Sequence, residues 1–192
     1  MRTFWSALCL VVLLGSPAGA GSDRFDWSPR YDPQQFKGVD RTIDPDGHIY
    51  GLPFGALESE LVATFGEPMG VIVISDNRKG YLYGRSHMFV LHNGKLRELI
   101  IRENILDWQV AEQIAGHPFF DGGRWTLQPG IESGMDFASV ATTLGAPHVD
   151  PDYRHAFDGE SSQTELLFSS QRDSTGVMSF ELYGVSVTHY GD

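Results

Sequence analysis

Seven histidines are the first place to look for chemistry in this chain: His48, His87, His92, His117, His148, His155 and His189. None falls in the spacing that places imidazole and thiolate ligands around zinc. The densest group is "HVDPDYRH", where His148, Asp150, Asp152 and His155 could offer two imidazoles and two carboxylates to a metal in a loop. A solvated polar connection after a helix accounts for the same residues. "IDPDGH" (43–48) hints at a calcium loop, but that spacing asks for an acid at Thr42 and a glutamate at Pro53. A Pro-Asp-Gly turn explains it instead. There is no H-E-x-x-H, no phosphate-binding loop and no G-x-S-x-G, and the only cysteine is Cys9. No catalytic residue, metal or cofactor is therefore expected. A small metal-dependent hydrolase stays open as a reading that would need His148, Asp152 and His155 to meet a further acid.

Recognition is the other chemistry on offer. In "KGYLYG" (79–84), "TELLFSS" (164–170) and "SFELYG" (179–184) apolar residues alternate with tyrosines and acids. Strand alternation that sets Leu82, Leu166, Phe168, Met178, Phe180 and Leu182 against helices leaves Tyr81, Tyr83, Glu165, Glu181 and Tyr183 on the open side. Tyrosines among acids suit a protein-binding surface. Tyrosines also suit strands and seams between packed units.

What must position these residues is a sequence written twice. "GLPFGALESELVATFGEP" (51–68) aligns without a gap on "GIESGMDFASVATTLGAP" (130–147), so Gly51, Gly55, Thr64, Gly66 and Pro68 recur as Gly130, Gly134, Thr143, Gly145 and Pro147. Each copy predicts a short helix. Leu57, Leu61, Val62 and Phe65 form one stripe, and Phe137, Val140, Ala141 and Leu144 the other. Ser133 with Asp136 reads as a capping-box start. Gly66 and Gly145, each with a proline two residues on, read as the stops. Strand-like runs follow both helices: 71–75, 79–84 and 87–102, then 153–159, 164–170 and 176–187. Asn93-Gly94 inside the third run is a hairpin signal. Between the units, 107–116 predicts a short helix and 117–128 an aromatic-rich turn.

The first twenty residues read as a secretory leader: Arg2, an apolar run from Ala7 to Leu14, and Ala18-Gly19-Ala20 as the cleavage site. Cleavage near Ala20 would leave 172 residues without cysteine and no segment of membrane-spanning length or lipid anchor, which implies a periplasmic or secreted location. The formal charge is −11, and it becomes −12 when Arg2 is lost. Such a chain repels nucleic acid and anionic lipid and tolerates a basic partner.

The motif G-[LI]-x-x-G-x-x-x-x-x-[LV]-x-x-x-[FL]-G-x-P followed by antiparallel strands resembles the SmpA/OmlA-type outer-membrane lipoproteins and the tandem-repeat β-lactamase inhibitor protein. It covers roughly 51–101 and 130–187. The resemblance implies helices on one side of an antiparallel sheet and another protein bound on the other side. The chain lacks the lipid-bearing cysteine of the first group, the disulfides of the second and the Gly-Met-Thr opening of both. The sequence thus predicts an α+β fold of two tandem units, each a short helix or helical hairpin on a three- to four-stranded antiparallel sheet. The expected divisions are a leader (1–20), an irregular arm (21–47) anchored by Phe25, Trp27, Tyr31 and Phe36, unit one (48–104), a helical linker (105–125) and unit two (126–192). The expected function is an exported, non-catalytic protein-binding module, an inhibitor or immunity protein of a periplasmic or secreted enzyme. A structural accessory of envelope assembly is the alternative.

Overall fold

A computed structural model describes residues 36–103, 105–106, 114, 116–146, 153–172 and 174–191. The leader, Phe25, Trp27, Tyr31, Pro147, His148, Asp150, Asp152 and nearly all of the expected 107–116 helix lie outside the described residues.

The fold is α+β. Seven strands form one antiparallel sheet: β4 (Gly70–Ser75), β5 (Arg78–Tyr83), β6 (His87–His92), β7 (Lys95–Ile101), β10 (Arg154–Asp158), β11 (Ser162–Arg172) and β12 (Met178–His189), in the order β10-β11-β12-β7-β6-β5-β4. Helices α1 (Glu58–Phe65), α2 (Pro118–Asp121) and α3 (Phe137–Thr143) contribute to the core on one face of this sheet. A small second sheet shares that core. It runs β3-β2-β1-β8-β9, from β1 (Thr42–Asp44), β2 (His48–Ile49), β3 (Leu52–Pro53), β8 (Thr126–Leu127) and β9 (Ile131–Glu132), with β1 and β8 parallel.

The arm is thus not wholly irregular: it supplies β1, and the boundary expected at 47/48 cuts the β1–β2 hairpin. Phe36 anchors as expected, buried and stacked 4.5 Å from Phe119. The aromatic turn at 117–128 contains α2, which sends Phe120 into a cluster with Phe65, Tyr83 and Phe89. Asn93 and Gly94 both take positive φ (50° and 75°), the mirror-image turn that matches strand twist.

The two echoes meet the sheet through the same backbone bonds. Gly55 N–H donates to Leu96 O at 2.8 Å, and Gly134 N–H to Leu182 O at 2.8 Å. In return, Leu96 N–H reaches Ala56 O and Leu182 N–H reaches Met135 O. Leu57 bridges Lys95 as Asp136 bridges Glu181. Gly51, Gly55, Gly66, Gly130, Gly134 and Gly145 all have positive φ. Beyond the echoes, the described strands of the large sheet number four in the first half and three in the second.

The helix starts need correction. Leu57 is half-exposed and precedes α1, where its N–H donates to Glu60 Oε2. Asp136, not Ser133, caps α3 by accepting from Ser139 N–H, because Ser133 Oγ is turned back to accept from Trp125 N–H.

Gly66 (φ 82°) and Gly145 (φ 70°) close α1 and α3 in backbone that L-residues rarely adopt, and a Cβ on Gly145 would touch nothing. Substituting alanine at Gly145 should therefore cost conformational strain alone, and at Gly66 at least that strain, about 1 kcal/mol, read as a lowered midpoint in urea unfolding. A cost near zero would show that these helix ends relax without a positive φ.

Candidate functional site

Strand alternation sorts the large sheet into a face toward the helices and a far face. Leu166, Phe168 and Leu182 lie in the helix-side core as expected, with Phe180 packed at its margin. Met178, at the distal end of β12, stays exposed. Tyr81 and Tyr83 do not lie on the open side: both are buried in the helix-side core, while Leu82 joins a far-face cluster with Ile72, Met88, Val90 and Ile105. Both faces of β5 are buried, so no polar residue marks the outside, and the apolar side chain is no guide to direction. Hydroxyl chemistry decides it. Tyr83 donates to Gly66 O at the end of α1 (2.8 Å), and its ring lies edge-on to Phe65 at 6.0 Å. Tyr81 bonds Glu58, and burial together with that carboxylate raises its pKa.

Glu165 does lie on the far face. Its pairing opposite Ala156 puts it beside Arg154, Gln163 and Asp158, and it meets Arg154 Nη1 at 3.2 Å. Glu181 accepts from Gln171 (3.1 Å) and borders the echo loop with Arg124 and Glu132. Tyr183 is exposed.

Tyr183 is also the extra residue of a β-bulge: Leu167 pairs Gly184 and Phe168 pairs Leu182, which leaves Tyr183 unopposed. β7 carries the same device. Val90 pairs Glu98 and Leu91 pairs Leu96, which leaves Arg97 unopposed. Leu96 and Leu182 receive the two echo loops in the same way, so Arg97 and Tyr183 occupy equivalent positions, as do Lys95 and Glu181. The seam between the halves is symmetric about Ile100↔Ser186, with Leu99↔Val187 mirrored by Ile101↔Val185. The sequence signal existed as a second echo, "KLRELII" against "ELYGVSV" at an offset of 86, but only Leu and apolar periodicity are shared.

A cleft opens at each end of this seam. The larger, about 500 Å³, is lined by His92, Lys95, Arg97, Thr188, His189 and Tyr190, with no carboxylate among its described lining residues. Burial, and then the charge of Arg78, hold the His92 pKa down, and its Nε2 is buried without a hydrogen-bond partner among the described residues. His189 is stacked on Phe54 at 4.8 Å, and its Nδ1 lies 3.4 Å from Ser161 Oγ. The smaller cleft, about 250 Å³, is bordered by Tyr183, Arg102, Trp125, Ser133 and, on its floor, Ser86 and His87.

That floor carries a hydrogen-bonded chain. Tyr50 Oη lies 2.9 Å from His87 Nε2, His87 Nδ1 lies 2.8 Å from Ser86 Oγ, and Ser86 Oγ lies 2.7 Å from Asp121 Oδ1. Asp121 also accepts from Arg85 N–H, Ser86 N–H and His117 N–H. The carboxylate can only accept, so it takes the Ser86 proton. His87 Nδ1–H then donates to Ser86, and the Tyr50 hydroxyl donates to Nε2. The order is the reverse of what activates a serine, whose proton must face the imidazole. The chain fastens the turn after β2, the β5–β6 turn and α2 together.

A second carboxylate makes a similar clasp across the molecule. Asp46 accepts from Glu160 N–H, Ser161 N–H and the Ser162 hydroxyl, which ties the β1–β2 turn to the β10–β11 hairpin. Partial desolvation would raise its pKa, but these hydrogen bonds outweigh it and the net shift is downward.

Among the described residues no group of three or more His, Cys, Asp or Glu side chains could hold a metal. Of the four residues at 148–155 that suggested one, only His155 is described, edge-on to Phe137 at 6.3 Å. Among the described residues no helix is long and apolar enough to cross a membrane. No protein-family model, curated protein or solved structure matches the chain.

Burial, with the Arg41 and His117 charges added, pushes His87 down to about 3. The unfolded chain takes up that proton near the ordinary 6.5 and the folded chain does not, so stability should fall as pH drops from about 6.5 toward 3, by up to about 1.4 kcal/mol per pH unit from this group. His87→Gln should flatten that part of the profile in urea unfolding at stepped pH. An unchanged slope would mean that His87 is protonated in the native state. The Asp46 contribution, present above its ordinary 3.8, is lost only as pH falls below it toward the lowered folded value.

Proposed function

We propose that this protein is an exported, non-catalytic protein-binding module whose partner lies against the uncovered half of the far sheet face and the cleft beneath Tyr183. One observation carries the reading. The far face of the sheet is covered unevenly: over β4–β7 it is apolar and packs Ile105, Leu106 and Ile114, whereas over β10 and β11 it presents Arg154, Asp158, Gln163 and Glu165, with Tyr183 exposed at the seam end of β12. An antiparallel sheet with one packed and one polar face is stable as it stands, so the polar half is free to engage another surface.

Tyr183 is suited to be the anchor. Tyrosine buries a large amphipathic area at low entropic cost, and the charged residues around it form a rim. The acidic balance favours a basic partner through faster encounter. The resemblance of the echo motif to helix-plus-sheet inhibitors supports the finer reading, an inhibitor or immunity protein of a periplasmic or secreted enzyme. Export rests on the leader-like first twenty residues. Tyr81 and Tyr83 have no part in the surface.

The test compares the mature chain with its Tyr183→Ala and Glu165→Lys variants as baits for the envelope fraction and secretome of its own cells. A captured protein should be lost from the Tyr183→Ala bait, with affinity weakened by about 2 kcal/mol and an unchanged melting temperature. The Glu165→Lys variant should mainly slow association. Partners held equally by all three baits would reject this face. N-terminal sequencing of the exported form should begin at Gly21, and a cytoplasmic chain that keeps Met1 would reject export.

A further inference from the structure

The larger seam cleft has chemistry that neither the fold nor the proposed partner surface requires. We propose that it is a binding site for a doubly charged tetrahedral oxyanion, inorganic phosphate or the phosphate group of a monoester. The equivalence of the two seam ends is the starting point. Position for position, Lys95 and Arg97 at this end answer to Glu181 and Tyr183 at the other. The backbone device is the same, so its geometry accepts an acid and an aromatic as readily as two cations. The cations are a property of this cleft and not of the bulge.

Three observations then fix the ligand. Lys95, Arg97, His92 and His189 line one opening of about 500 Å³ with no acid among the described lining residues, in a chain of net charge −11. Glu98, next to Arg97 in the chain, is already engaged by Arg78. Two permanent charges match a dianion, whereas a single carboxylate would leave one of them uncompensated. Thr188 adds a hydroxyl beside the His92 and His189 rings. Bulges re-aim side chains at the rims of sheets, and Arg97 is the bulge residue here.

The experiment titrates the isotope-labelled full chain with inorganic phosphate, and separately with glycerol phosphate, at ionic strength held constant with chloride. Amide shifts are followed by nuclear magnetic resonance. Saturable shifts confined to 92–97 and 188–191 are expected, with affinity at least tenfold weaker in Lys95→Gln/Arg97→Gln and unchanged in Arg172→Gln, an exposed cation remote from the cleft in sequence. Should the double variant lose melting temperature, the exposed single variant Lys95→Gln carries the comparison. Ester binding equal to free phosphate would support the site with a phosphorylated molecule as the source. Phosphate binding with the ester excluded would support it with the free ion as the source. The absence of a saturable shift with either compound, or equal affinity in the double variant, would overturn the site.

Discussion

Four backbone pairs hold the two halves in one sheet. They run from Glu98↔Thr188 to Ile101↔Val185, between the last strand of each meander. A ladder this short would leave both strands with bare amides and carbonyls next to the core, and buried backbone groups must find partners. The echo segments supply them. Where β12 ends, Gly55 and Ala56 take over the pairing of Leu96, and where β7 ends, Gly134 and Met135 take over that of Leu182. Each helix is therefore placed by the segment that completes the seam, and α1 and α3 fall on the same face because the seam is two-fold. The repeated motif is best understood as the part that such a seam cannot vary. The strands farther out carry no such demand.

The bulges follow from the same constraint. Leu96 and Leu99 must both point into the core, as must Leu182 and Val185, although two residues separate each pair. Strict alternation would turn one of them outward. An extra residue between them restores the direction, and that residue, Arg97 or Tyr183, is released from packing. The architecture thus places one unconstrained side chain at each seam end, beside an opening made by the ending of the ladder. Function can change there without disturbing the core, and the two positions carry opposite chemistry.

Most of the framework was legible in the sequence, because local rules act on it alone. The Asn93-Gly94 turn, the glycine stops at 66 and 145 and the inward set Leu166, Phe168 and Leu182 follow from turn chemistry and period-two alternation. The candidate sites were far less legible. Tyr81 and Tyr83 defeated alternation because β5 is buried on both faces, and what turned them inward was a hydrogen bond from Tyr83 to the end of a helix seventeen residues away in the chain. The Asp46 clasp spans more than a hundred residues, and nothing near "IDPDGH" announces the serines it receives. The 117–121 stretch looked like a turn because its helix is too short to carry a stripe and is fixed by Asp121 holding the β5–β6 turn.

The two carboxylates at those junctions bear on the acidity of the whole chain. Asp121 and Asp46 each gather several backbone and hydroxyl donors and no cationic side chain among the described residues, so they act as fasteners between distant turns. Ion pairs in the described part are few, and that between Arg154 and Glu165 is solvent-exposed and weak. Stability accordingly rests on the shared apolar core and on hydrogen-bonded junctions. Charge is left as a surface property: net negative for the chain as a whole, and positive where Lys95 and Arg97 meet at one seam end. In a chain of net negative charge, a pair of cations at one opening is where an approaching anion meets a local attraction.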